Sequence, residues 1–205
     1  MTETTFIPLS LTIMLGPQIL VAMLLITRKD AVQSSLIYIF SVVASLIGMT
    51  YLYSYLISIT HFHKIAITGK PVIKYILVAV LVFVLIRTIK NRKKITQKPK
   101  WMTNVLTCSL KKVALIGFAL IALMPADIAV EFTIGNLINV NHSTILSAVP
   151  FFIAVLVLAS TPLFIYKILG NKGPGIMEKT NVWLNTHGYL INVFVLSLYI
   201  FLILK

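Results

Sequence analysis

Six apolar stretches, each close to the length that crosses a bilayer, recur along these 205 residues and set the class of fold before any motif is considered. A hydrocarbon core of about 30 Å is spanned by roughly 20 helical residues. Helices satisfy their own backbone hydrogen bonds within one segment, so they are the form such stretches take. The stretches run from about residue 5 to 27, 32 to 57, 71 to 89, 113 to 140, 145 to 169 and 183 to 204. Hydrophobic residues make up 59% of the chain and charged residues 11%, which is more apolar surface than a soluble domain of this size can hide. The expectation is an all-α integral membrane protein with six transmembrane helices in a single domain, 1–205. The N-terminus carries Glu3, no early Lys or Arg, and no small-residue cleavage pattern before Arg28 and Lys29, so it is expected to stay attached. A single cysteine, Cys108, excludes an internal disulfide and any CxxC motif.

Charge supplies the orientation. Between the third and fourth stretches lies KNRKKITQKPKWMTNVLTCSLKK, residues 90–112, which with Arg87 holds nine Lys or Arg and no acid. If the N-terminus is outside, fourteen of the basic residues fall on the inner side and four on the outer. Positive residues in short loops stay cytoplasmic, so both termini are expected outside and the linker inside a cell membrane. Attraction to anionic headgroups is the natural added role of Arg28, Lys29, Arg92, Lys93 and Lys94. Positive-inside retention explains the basic linker without nucleic acid as a partner.

The linker also divides the chain into two sets of three helices, 1–89 and 113–205. An odd number of crossings inverts the second set. In the first half Pro17 interrupts an apolar run (MLGPQIL), and a helix rich in small residues follows; in the second, Pro125 interrupts another (LMPADI), 108 residues later. Two inverted three-helix repeats, with proline-broken helices 1 and 4, are therefore expected. In such folds the broken helices meet near the midplane and form the binding site, which makes Pro17, Gln18 and Pro125 candidate site residues. The competing reading makes both prolines simple kinks.

Only five carboxylates occur in the chain, and two of them, Asp127 and Glu131, sit inside the fourth apolar stretch at i and i+4. That spacing puts both on one face of a helix continuing past Pro125. A charge at membrane depth costs ~2.5 to 3.5 kcal/mol on the insertion scale, so such residues normally face a cavity or a partner. Burial without a cation favours the neutral acid, and two neighbouring acids cannot both ionise cheaply. A proton-coupled or cation-coupled site follows as the expectation. The bland alternative has Glu131 reaching the outer interface and Asp127 bonding a hydroxyl such as Ser41, Ser45 or Thr50. Other polar residues carry less weight. His61 and His63 offer two nitrogens, too few for a metal site, and His187, four residues after Trp183, reads as part of an interfacial anchor. No nucleophile with its base, phosphate-binding glycine loop or paired-His helix is present, so neither an enzyme nor a metal site is expected.

The segment IMLGPQILVAMLLITRKDAVQSSLIYIFSVVASLIG resembles the opening helix pair of the GAP family, the peptidoglycolipid- or sulfolipid-addressing proteins of the lysine-exporter superfamily. The stretch PKWMTNVLTCSLKKVALIGFALIALMPADI is similar to that family's Pro-x-Trp entry into a proline-containing fourth helix. VWLNTHGYLINVFVLSLYIFLIL is similar to its closing Trp-Leu-x-x-His and last helix. The resemblance implies six helices, export or flipping of lipid-linked or small solutes, and no cofactor. The chain departs from many members of that family, which carry Asn-Pro-Lys where Met124, Pro125 and Ala126 stand and glycines where Phe40 and Ser41 stand. No role can be carried over for the missing lysine, so Asp127 and Glu131 stand on the physical argument alone.

Two functions are compatible with these features. One is a transporter exporting a lipid-linked or small charged substrate, with proton or cation coupling through Asp127 and Glu131. The other is a non-transporting accessory protein that scaffolds a glycolipid-export machine. Membrane lipids and a second copy of the chain are expected partners under either reading.

Overall fold

The computed structural model describes residues 6–14, 17–60, 71–90 and 104–170, together with scattered positions between 175 and 201. Among the described residues every regular element is helical. The helices are α1 (Phe6–Met14), α2 (Pro17–Leu25), α3 (Ala31–Thr60), α4 (Pro71–Lys90), α5 (Leu110–Leu123), α6 (Pro125–Val140), a 3₁₀ turn (Ile145–Ala148) and α7 (Val149–Leu169). Described positions from 182 to 201 are also helical, within the stretch expected to form the last helix. Among the described residues two helices, Ala31–Thr60 and Ile145–Leu169, are long and apolar enough to cross a membrane. A third span results if the bent pair α5 and α6 is counted as one.

Both interrupted segments break where proline forces them to. Proline has no backbone N–H and clashes with the preceding turn, so it is tolerated at the first position of a helix and disrupts its interior. Accordingly α1 stops at Met14 and α2 starts at Pro17. Likewise α5 stops at Leu123, Met124 takes an extended conformation (φ −75°, ψ 123°), and α6 starts at Pro125, turned by 67°. Pro150 lies at the start of α7, where it is harmless, and Pro162 lies within that helix, which continues through it. The NHST run, residues 141–144, does not cap the helix that follows it. Thr144 makes no capping bond with its side chain; instead the turn closes α6, with His142 in the left-handed region (φ 48°) and Ser143 N–H donating to Ile138 O at 3.0 Å. A left-handed residue just past a helix end returns chain amides to the last free carbonyls.

The bundle is organised around α3. Its buried residues include Ala31, Ser34, Ser35, Tyr38, Val42, Ser45, Leu46 and Thr50, whose steps of three and four turn one face inward. Against that stripe lie α5 and α6, while α1 and α2 close the other side with α7. The α3 to α5 and α3 to α6 seams are held by small residues and hydroxyls, which let backbones approach closely where lipid leaves little hydrophobic drive between helices. A Cβ on Gly117 would lie 3.1 Å from the Tyr38 ring and 3.2 Å from Tyr38 O; one on Gly135 would lie 2.8 Å from Ser54 N. Ser41 Oγ donates to Ala114 O, Ser45 Oγ donates to Phe118 O at 3.0 Å, and Asn139 Nδ2 donates to Ser54 O at 2.8 Å. Residue numbers rise together from one seam to the next, so α3 runs in the same sense as α5 and α6. The outward side chains, among them Phe40, Leu115, Leu123, Phe164 and Ile168, are apolar and exposed, the surface a bilayer covers.

Candidate functional site

The two helix breaks meet. Gln18 is the second residue of α2 and Asp127 the third of α6, each placed by the proline at the first position of its helix. The Gln18 amide Nε2 donates to Asp127 Oδ2 across 109 residues of sequence, and both side chains are buried. Tyr38 of α3, fully buried, donates its hydroxyl to Gln18 O at 2.9 Å. Because Gly117 packs on the Tyr38 ring, that bond fixes α2 to the α3 to α5 seam. Asp127 also occupies the first turn of α6, where the unpaired N–H groups and the helix dipole favour a carboxylate.

One turn further along α6 lies Glu131, with 0% of its surface exposed. Neither of its carboxyl oxygens has a hydrogen-bond partner among the described residues. Thr50 Oγ1 and Ser35 Oγ are buried without partners as well. The Tyr53 ring packs edge-on against Phe132 with centroids 6.1 Å apart, and its hydroxyl lies within electrostatic range of Glu131. Buried polar atoms are normally paired, so three unpaired oxygens on Glu131 and Thr50 mark a place where the protein alone does not complete the chemistry.

The sequence-selected residues therefore separate clearly. Pro17, Gln18, Pro125, Asp127 and Glu131 gather around the two breaks. Ser41 and Ser45 bond backbone carbonyls of α5 and leave Asp127 to Gln18. Tyr38 was not singled out in the sequence, although its place on the buried stripe of α3, between Ser34 and Ser45, is the signal that points inward. Thr50 was named only as a bonding partner for Asp127, a role it does not take.

A second polar cluster lies at the opposite end of α2. Arg28, its side chain 8% exposed, forms a fork on Asp30 with Nε to Oδ1 at 2.7 Å and Nη2 to Oδ2 at 3.0 Å. It also donates to Val105 O at 2.6 Å and Cys108 O at 2.9 Å. The fork holds the Asp30 carboxyl below the usual carboxylate range, the hydrogen bonds from Arg28 being the leading cause. Arg28 thus spends its donors within the protein, whereas Lys29 is exposed. Arg92, Lys93, Lys94, His61 and His63 lie outside the described residues. His187 stacks on Trp183 with centroids 5.0 Å apart and its Nδ1 3.1 Å from Trp183 O.

Among the described residues no three His, Cys, Asp or Glu side chains cluster as metal ligands. No curated protein and no solved structure matches the chain. The family described as Sap, sulfolipid-1-addressing protein, matches residues 6–205, nearly the whole chain, and with the lipid-covered helices and the paired helix breaks already in place the conclusion is that this membrane protein belongs to the sulfolipid-1-addressing family.

Proposed function

We propose that the protein is a membrane transporter of the lysine-exporter type, moving a lipid-linked or small charged substrate outward with a proton or cation coupled through Asp127 and Glu131. The observation that carries this reading is the burial of both acids beside two helix breaks, with no Lys or Arg at that depth in the described helices packed around them. Intramembrane acids so placed mark ion pathways and proton relays. The family description favours a lipid-linked substrate. In this reading six helices form two inverted repeats, the breaks at Pro17 and Pro125 are corresponding elements, both termini lie outside, and the basic linker with exposed Lys29 meets anionic headgroups of the inner leaflet. The protein acts as a carrier and performs no covalent chemistry.

Neutral replacement of the acids tests the reading. Asp127→Asn and Glu131→Gln keep shape and hydrogen-bonding capacity but remove the titrating charge. In vesicles reconstituted with candidate lipids, initial transport rates are expected to fall roughly tenfold or more in each variant. Folding survives, because a neutral amide is cheaper to bury than an ion. Wild-type rates in both variants would remove the carboxylates from the mechanism and favour an accessory protein that scaffolds an export machine.

A further inference from the structure

The unpaired oxygens of Glu131 and Thr50 lie on the two helices of one seam, α6 and α3. Gly135 of α6 meets Ser54 of α3 at backbone distance, and Asn139 Nδ2 reaches Ser54 Oγ at 3.0 Å, which fixes the register of two helices running in the same sense. Residues four apart share a helix face. One turn back from Gly135 is Glu131, and one turn back from Ser54 is Thr50. Glu131 and Thr50 therefore lie on the faces of α6 and α3 that carry this contact, and each is 0% exposed.

No hydrogen bond joins them directly, and Glu131 Oε1, Glu131 Oε2 and Thr50 Oγ1 all lack partners among the described residues. Two ways exist to neutralise Glu131 there, and they leave different costs behind. A proton cancels the charge but turns one oxygen into a donor with no acceptor, and it leaves the Thr50 hydroxyl unpaired, each at a penalty of about 1 to 3 kcal/mol. An ion lodged between the helices cancels the charge and gives all three oxygens a partner, and those contacts have to offset the water that the ion sheds. The described helices packed around this point bring no competing cation: Lys111 and Lys112 lie in the first turn of α5 and Lys167 in the last turn of α7, all exposed. Asp127 and Tyr53 are the titratable groups within electrostatic range of Glu131, and Asp127 already accepts the Gln18 amide. A single free carboxylate with a hydroxyl is a hard oxygen donor set carrying one negative charge.

We infer that Glu131 and Thr50 form a buried binding site for a desolvated monovalent cation, held between α3 and α6 one turn inside the Gly135 contact. The inference deepens the proposed coupling role by naming the class of ion, and it rests on that reading only for its use in transport.

Binding and transport can be tested separately. Purified protein in detergent is unfolded thermally in sodium, potassium or lithium chloride, against choline chloride at equal ionic strength. A ligand that binds only the folded state stabilises it progressively as its concentration exceeds Kd. One of the three alkali cations is expected to raise Tm to a plateau that choline does not reproduce. Thr50→Val, which swaps the hydroxyl for a methyl of the same shape, and Glu131→Gln are expected to abolish that rise, while Thr50→Ser retains it. Equilibrium uptake of the same ion by the wild-type protein provides a measurement independent of how any variant folds. Equal Tm in all four salts with no ion uptake, or an undiminished rise in Thr50→Val, overturns the site. If no cation binds while Asp127→Asn and Glu131→Gln still stop transport, the inference falls and the coupling reading stands with a proton. If a cation binds but both neutral variants transport normally, the site stands and the coupling reading falls.

Discussion

Arg28 and Asp30 show how a short polar turn joins parts of the chain that the sequence keeps far apart. The fork on Asp30 and the bonds to Val105 and Cys108 tie the end of α2 to the chain entering α5. Hydrogen bonds to charged groups contribute about 1.5 to 3 kcal/mol each, so Arg28→Ala is expected to lower stability at neutral pH by roughly 2 to 3 kcal/mol. The pH dependence has a definite sign. Because Asp30 binds its proton less tightly when folded, the pair contributes fully above the ordinary carboxylate value of about 4 and is lost as pH falls through the lower folded value. Thermal unfolding of Asp30→Asn as a function of pH should lack this acid limb. An unchanged acid limb in that variant would assign the loss to other groups. What the sequence disclosed at this scale followed rarity. Asp127 and Glu131 stand out because a carboxylate inside an apolar run is costly, and Gln18 because it follows a mid-helix proline. The Gln18 to Asp127 bond, the Tyr38 hydroxyl on Gln18 and the opposition of Thr50 to Glu131 link distant segments, and local periodicity encodes no such pairing.

Helix boundaries were far more legible, because the signals that set them are local. Pro17 and Pro125 open α2 and α6, and the small-residue stripe of α3 forms one uninterrupted helix. The position where α7 begins escaped, since a 3₁₀ turn ahead of Pro150 has no hydrophobic period of its own. Glycines in these helices test the packing directly. Gly135→Ala puts a methyl 2.8 Å from the Ser54 backbone and should destabilise by about 1 to 3 kcal/mol, as overpacked sites do. Gly48, also helical, has open space where a methyl would stand, so it should accept alanine with no loss or a gain of up to about 1 kcal/mol. Equal effects at the two positions, measured by thermal unfolding, would mean that α6 does not press on α3. The same seam explains one departure from the family pattern. Ser41 lies opposite Gly117, where a small residue is needed, while Phe40 beside it points outward and is free to be large.

For the molecule as a whole, orientation rests on the fourteen-to-four distribution of basic residues, and it is open to a direct test. In a Cys108→Ala background, single cysteines at Thr68 and Ser143 should react with an impermeant thiol reagent added outside, and one at Thr96 only after permeabilisation. Outside labelling at Thr96 would overturn both the orientation and the inverted arrangement of the halves. The all-helical membrane class was legible because hydrophobic run length is a property of the whole chain. How the helices assemble was not, because small residues and hydroxyls make the contacts without standing out in hydropathy. That assembly has a mechanical consequence. The pair α5 and α6 forms two legs meeting at Met124, and α3 braces both like a tie beam, fastened to one leg at Ala114 and Phe118 and to the other at Gly135 and Asn139. A triangulated frame resists a change of angle at its apex. The 67° bend at Met124 is therefore held on both sides by α3, and any change of that angle would have to break these contacts.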